Sequence, residues 1–330
     1  MSTPQDVELH HALQRIGNSR LPNTNIYNIT DLTGRGRGFI ALQDISKGTR
    51  ILAEQALFTI ENVPRGGRLS NTNRTHIINQ VNVNGPHHAA FVELFCPGQG
   101  RPSLSRRFQA NNFQMDRGTD RLQVQGIFLQ ASRFNHSCLP NAHFAYNDTT
   151  GCLTIHAIEN IARGKEILVN YHQRECYRTR AQRHTDLSHY SFTCTCDSCL
   201  PDIPFGRSSD GRRSYMATLD GRIIHNENRY GPGDRDQLEN DLNDLLRLIP
   251  MEGAFYIPLM DNYHRRADFF NEKWQATNSG ALDTRKELSR RAMEDARRNL
   301  DLEVTCMGFD SPDVRETLNW LCGLECRGWA

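Results

Sequence analysis

Three thiols crowd into six positions at Cys194-Thr195-Cys196-Asp197-Ser198-Cys199. A tight turn can aim all three sulfurs at one ion, and zinc is the ion that thiolates at this spacing usually hold. The competing reading, three ordinary reduced thiols, needs the spacing to be accidental. Ten cysteines in 330 residues are too sparse for a disulfide scaffold. The polar stretch from Met1 to Arg20 has no signal-peptide core, so reduced thiols are expected. A structural zinc site is closed and four-coordinate, which leaves this run one ligand short. Cys138 is the leading candidate for the fourth, ahead of His184 and His189. Such a centre braces a fold and does not by itself catalyse.

Cys138 lies in a run dense in polar, site-forming side chains, Arg133-Phe134-Asn135-His136-Ser137-Cys138-Leu139-Pro140-Asn141. Asn, His and Ser compete with the backbone for hydrogen bonds and Pro140 lacks a donor. The run is therefore poor helix and poor strand, and reads as a loop that builds a site. A second stretch, Thr33-Gly34-Arg35-Gly36-Arg37-Gly38-Phe39, alternates glycines with two forked donors suited to a carboxylate or phosphate. Alone it reads as a turn between strands. A strand and not a helix follows it, which excludes a dinucleotide fingerprint. A third stretch, Gly164-Lys165-Glu166-Ile167-Leu168-Val169-Asn170-Tyr171, is a turn, a strand and a terminal tyrosine. Alone, Tyr171 reads as a core tyrosine.

Taken in order, Gly-x-Gly-Phe, Asn-His-Ser-Cys, Gly-Lys-Glu-Ile…Tyr and Phe-x-Cys-x-Cys-x-x-Cys resemble the SET-domain family of protein lysine methyltransferases, over about residues 26–200. Within it the chain looks most like the SMYD (SET-and-MYND) branch and its fungal relatives, without the MYND zinc finger, since residues 61–110 hold one cysteine, Cys96. The resemblance implies a mixed α+β fold of small β-sheets with a knot-like crossing, a zinc-bound post-SET segment and an α-helical C-terminal module. It implies S-adenosylmethionine as cofactor and one structural zinc on Cys138, Cys194, Cys196 and Cys199. Arg35, Gly36, Arg37 and Gly38 would flank the methionine end of the cofactor. Asn135 and His136 would bind it through side chain and main chain, Asn111 would contact it, and Phe192 would stack near the adenine. Tyr171 matches the family's catalytic tyrosine and also borders the cofactor. Tyr190 and Phe113 would line the lysine channel.

These positions need elements to hold them. Ile26–Ile60 reads as strands separated by turns, and residues 61–110 as an insert: loop at Arg65-Gly66-Gly67-Arg68, then helices near 71–82 and 86–95. The second of these starts at Pro86 and places Phe91, Leu94 and Phe95 on one face. Strands return from Asn111, with a hairpin turn at Thr149-Thr150-Gly151. Residues 172–200 form the post-SET segment, helical in part. Residues 201–236, rich in glycine, read as a linker, with a helix around Ser214–Ile224 as the alternative. Leu238, Leu242, Leu245 and Leu246 open a helical module over 237–330 that resembles a tetratricopeptide array. Residues 1–25 read as a polar leader.

A hydrophobic content of 38%, a charged content of 23% and a net charge of +1 indicate a folded protein without a broad nucleic-acid-binding surface. No apolar run has the length of a membrane span. The expected partner is a protein presenting a lysine, a histone or another, to a monomer in the nucleus or cytoplasm. Two alternatives stand beside it: a catalytically silent SET fold that holds a partner, and a cofactor site turned to a small molecule.

Overall fold

The computed structural model describes residues 26–64, 69–82, 87–98, 101–115, 122–172, 176–226, 235–253 and 256–328. The leader, the Arg65–Arg68 loop, Pro86 and the glycines 231 and 233 lie outside them. The N-terminal half is built of small sheets. Strands β1 (Tyr27–Leu32) and β2 (Gly36–Ala41) form an antiparallel ribbon. Strand β3 (Arg50–Gln55) pairs with β9 (Cys152–Ala157), which pairs with β8 (Ala142–Asn147). Strand β4 (Phe58–Pro64) pairs with β6 (Leu122–Ile127), which pairs with β5 (Asn112–Gln114). The two-residue strands β7 (Asn135–His136) and β10 (Leu168–Val169) run parallel, Asn135 opposite Leu168 and His136 opposite Val169. That short ladder welds the polar run to the strand before Tyr171.

Local chemistry explains the corners. Asn147 Oδ1 accepts from the amides of Thr149 (3.0 Å) and Thr150 (3.2 Å), and Gly151 takes φ +67°, which closes the β8–β9 hairpin. Asn141 mimics a strand across a gap in sequence: its Nδ2 donates to Glu166 O (2.9 Å) and its Oδ1 accepts from Leu168 N (2.8 Å). The side chain thereby holds β10 in place.

In the insert, α1 (Asn71–Val81) starts on a capping box between Ser70 and Asn73. Helix α2 (His88–Val92) buries Phe91, and Leu94 follows it inward, but Phe95 is 52% exposed because the helix ends first. Helix α3 (Leu104–Asn111), capped by Ser103, was not expected; it buries Phe108 against Phe58 and Phe91.

Helix α4 (Arg180–Leu187) carries a Thr179–Gln182 capping box. The expected linker is corrected next: α5 runs from Pro204 to Asn226 through three glycines. A Cβ on Gly206 would sit 1.9 Å from Leu200 O, so this helix starts directly on the cysteine turn. Gly211 and Gly221 face open space. Their helix penalty, about 1 kcal/mol each, is offset by Met216, Leu219 and Ile223, which are fully buried. Helices α6 (Arg235–Leu248), α7 (Tyr256–Ala276), α8 (Leu282–Met307) and α9 (Pro312–Gly328) follow, each packed on its predecessor. They share a core with Leu242, Leu245, Phe270, Ala292, Ala296 and Val314. Helix α8 also lies against β8 and β9, and the seam is tied by Arg50, bonded to Asp310 and donating to His156 Nε2 (3.1 Å). No described helix is long and apolar enough to cross a membrane.

Candidate active site and metal centre

The four cysteines singled out by spacing converge. Their sulfurs all lie within 4.8 Å of one another, with Cys138 Sγ 3.6 Å from Cys199 Sγ and 3.8 Å from Cys194 Sγ. A tetrahedral ion with bonds of about 2.3 Å to sulfur needs edges of about 3.8 Å, so the donor set fits one zinc-sized cation. The turn that allows this is closed by Cys199 N and Leu200 N, both donating to Cys196 O (2.7 and 3.1 Å). Cys196 and Cys199 are pulled down towards thiolate, first by the hydrogen bond from Cys138 and then by that from Cys194, while Cys138 is pushed up as a donor. Neither His184 nor His189 belongs to the cluster.

Two buried arginines stand behind it that sequence alone did not mark. Arg183 Nη2 donates to Ser198 O (2.9 Å) and Cys199 Sγ (3.3 Å). Arg213 of α5 donates to Ser198 Oγ (3.4 Å), Cys176 O (2.7 Å) and Glu252 Oε2 (2.9 Å). Four thiolates around a divalent ion would keep net negative charge, and Arg183 is placed to offset part of it. Arg213 couples the helical module to the cysteine turn.

On the other side of Cys138 lies the glycine-rich turn between β1 and β2. Gly34 (φ +72°) and Gly36 (φ +68°) occupy the left-handed region that excludes most side chains. Gly38 is required for a different reason: a Cβ there would lie 2.6 Å from Asn135 Nδ2 and 2.8 Å from Glu166 Oε1. Glu166, which sequence gave no role, organises this corner. Its carboxylate accepts from Asn135 Nδ2 (2.8 Å) and pairs with Arg35 (3.1 Å), while Arg35 Nη2 also donates to His136 O (3.3 Å). Arg37 turns away, donating to Glu93 O (3.4 Å). Asn111 is buried, and its Nδ2 is committed to Phe95 O and Arg107 O, each at 2.7 Å.

The His136 ring faces inward. Tyr171 N donates to its Nδ1 (3.1 Å), so the ring proton is on Nε2, 3.3 Å from Cys138 Sγ. Burial first, and His172 next, push its pKa down to about 3, so the ring is neutral. Both nitrogens are thus engaged, and the part of His136 on the Arg35 side is its carbonyl. The ring links the cysteine cluster to the backbone of Tyr171.

Tyr171 is surrounded by aromatics, its ring centroid 4.8 Å from Tyr190, 5.1 Å from His136 and 6.4 Å from Phe192. Its hydroxyl donates to Phe134 O (2.8 Å). Burial raises its pKa strongly, with Tyr190 and Glu166 adding to the effect, so it is a neutral phenol. Phe192 keeps 36% of its surface exposed. Tyr171, Tyr190 and Phe134 line a groove of about 1000 Å³. Phe113 also lines it, packed edge-on against Phe144 (4.9 Å) and outside the Tyr171 ring pairings. Residues of α7 and α8, among them Met260, Asn262, Asn299 and Glu303, contribute to the same lining.

Comparison with known proteins places this geometry. Residues 36–172 match the SET domain family. The histone-lysine N-methyltransferase set5 of Schizosaccharomyces pombe is 30% identical over 200 residues, covering 60% of this chain and 58% of that protein. The protein-lysine N-trimethyltransferase SMYD5 of Danio rerio is 39% identical over 117 residues, 33% of this chain and 28% of that one. The protein-lysine N-methyltransferase SMYD4 of Mus musculus is 31% identical over 169 residues, 48% of this chain and 21% of that one. The chain therefore spans less than two thirds of the length of each of these relatives.

Proposed function

Because residues 36–172 form a SET domain related to lysine methyltransferases, we propose that this chain is an S-adenosylmethionine-dependent protein-lysine N-methyltransferase with one structural zinc. The observation that carries the reading is the arrangement around Tyr171. A buried neutral phenol lining a groove of about 1000 Å³ stands next to a corner of glycines, Arg35, Asn135 and Glu166.

The cofactor, when bound, supplies an electrophilic methyl group. Arg35, Asn135, the close approach at Gly38 and the half-open face of Phe192 are the groups fitted to hold it. The remaining requirement is a lysine amine that is neutral and aligned. An ordinary lysine has a pKa of about 10.4, and taking its ammonium out of water favours the neutral form. Tyr171, Tyr190, Phe134 and Phe192 supply that dry, aromatic surrounding. The Tyr171 hydroxyl gives its proton to Phe134 O, so its oxygen lone pairs can accept an N–H of the incoming amine and turn the nitrogen lone pair towards the methyl. An amine held in this way would take the methyl carbon from the cofactor's sulfur and then shed a proton to solvent. The four thiolates would hold zinc and so brace the 194–199 turn; Tyr190 and Phe192, just before it, pack beside Tyr171.

The test is transfer of labelled methyl from S-adenosylmethionine to histones and to a cell lysate. Labelled protein lysine is the expected result, reduced by Tyr171→Phe. Tight cofactor binding with no protein accepting the label would refute the reading.

A further inference from the structure

Glu166 sits where the glycine-rich turn, the polar run and the strand before Tyr171 meet. Its main chain is fixed without help from its side chain. Glu166 bridges to Ile40 of β2, Ile167 N donates to Phe39 O (2.8 Å), and Glu166 O accepts from Asn141 Nδ2 (2.9 Å). The carboxylate is thus delivered to the corner from a rigid base. There Oε1 accepts from Asn135 Nδ2 (2.8 Å) and Oε2 pairs with Arg35 Nη1 (3.1 Å). A Cβ on Gly38 would crowd both members of the first bond, so the glycine keeps room for it.

These two bonds decide which atoms face outward. An amide that gives its nitrogen to a carboxylate must turn its oxygen elsewhere. Asn135 is half-buried, and its Oδ1 meets no donor among the described residues. It is also not one of the unpartnered atoms closed off from solvent. Arg35 spends one N–H on Glu166 and one on His136 O (3.3 Å), and its side chain stays 43% exposed. A guanidinium has five N–H donors, so others remain. An outward acceptor beside outward donors suits the two charges of an α-amino acid, the ammonium on the one and the carboxylate on the other.

We propose that Glu166 is a positioning residue for the amino-acid end of S-adenosylmethionine. It holds the Asn135 amide with Oδ1 towards the α-ammonium and the Arg35 fork towards the α-carboxylate. It thereby sets a preference for ligands that carry both charges. Glutamine in its place offers one acceptor and one donor, so it serves Asn135 or Arg35 but not both, and it lets the Asn135 amide turn over. That the ligand is this cofactor rests on the function proposed above.

The experiment titrates the full chain by calorimetry with S-adenosylhomocysteine, which carries the amino-acid end, and with methylthioadenosine, which lacks it. The parent protein is expected to prefer S-adenosylhomocysteine. Glu166→Gln should weaken that ligand by about ten- to a hundred-fold, the effect of charge-assisted hydrogen bonds, and leave methylthioadenosine nearly unchanged. Arg35→Gln should also narrow the preference, and the double variant should lose less than the product of the two single losses, because Glu166 acts through Arg35. Equal weakening of both ligands by Glu166→Gln would mark a merely structural role and overturn the proposal. So would unchanged S-adenosylhomocysteine affinity, or single losses that multiply in full. If Glu166→Gln does not fold, Glu166→Asp, which keeps the charge and draws it back, should show the same loss confined to S-adenosylhomocysteine. A parent protein that binds neither ligand removes the cofactor reading and this inference with it. A parent that prefers S-adenosylhomocysteine without help from Glu166 keeps that reading and removes the inference alone.

Discussion

Glu303→Gln has a consequence for stability that can be worked out in advance. The carboxyl ionises at about 7 in the folded protein against 4.5 in an exposed chain, because it is desolvated, its hydrogen bonds from Thr317 and Asn299 only partly opposing the rise. Below pH 4.5 both states are protonated and the favourable contribution is complete. As pH rises through 7 the folded state gives up its proton and the contribution is lost. Proton linkage makes Glu303 favour folding by about 2.5 kcal/mol more at pH 5 than at pH 8. Three buried histidines act oppositely. His143 is pushed down to about 4 by burial, His156 to about 3 by burial and then by Arg50, and His136 to about 3 by burial and then by His172. Their contributions are present above pH 6.5 and are lost as pH falls, by about 2 kcal/mol each at pH 5. Glu303 therefore masks less than half of an acid-side loss of about 6 kcal/mol, large against a typical stability of about 5–15 kcal/mol. Urea unfolding of both proteins at pH 5, 6, 7 and 8 measures this. The stability gap between Glu303→Gln and the parent should shift by about 2.5 kcal/mol across the series, the variant falling more steeply below pH 7. Parallel profiles would refute a Glu303 pKa raised by burial.

Other expectations follow from single contacts. Elemental analysis should find one zinc per chain, and Cys138→Ser should lose most of it and lower the melting temperature, as should a strong chelator on the parent protein. Tyr171→Phe leaves the Phe134 carbonyl without its donor and should lower stability by about 1–2 kcal/mol while reducing methyl transfer much more, read by urea titration and by the labelled-methyl assay. Asn141→Ala frees Glu166 O and Leu168 N together and should destabilise by about 2 kcal/mol, with a lowered urea midpoint at unchanged slope.

Short-range chemistry was legible in the sequence. The C-x-C-x-x-C spacing, the Asn-His-Ser-Cys run and the tyrosine at the end of a strand each carry their meaning within a few residues, and their order along the chain pointed to one fold. Cys138 could be paired with the distant knuckle because a closed four-ligand site demands a fourth donor. Hydrophobic periodicity similarly announced α6 to α9. What the sequence could not express is which way a side chain turns once distant elements close on it. The His136 ring points at a sulfur and at Tyr171 N because the β7–β10 ladder fixes its backbone. Glu166 becomes the partner of Arg35 and Asn135 only when two loops meet. Helix α5 survives its glycines because two of them face open space and its apolar side is buried by other helices. The acceptors on Asn262, Asn299 and Glu303 are unremarkable letters in two amphipathic helices, and only the packed structure shows that Asn262 Oδ1, Asn299 Oδ1 and Glu303 Oε2 are buried without a donor among the described residues. Burial and the loss of partners are properties of the assembled chain, and no window of sequence contains them.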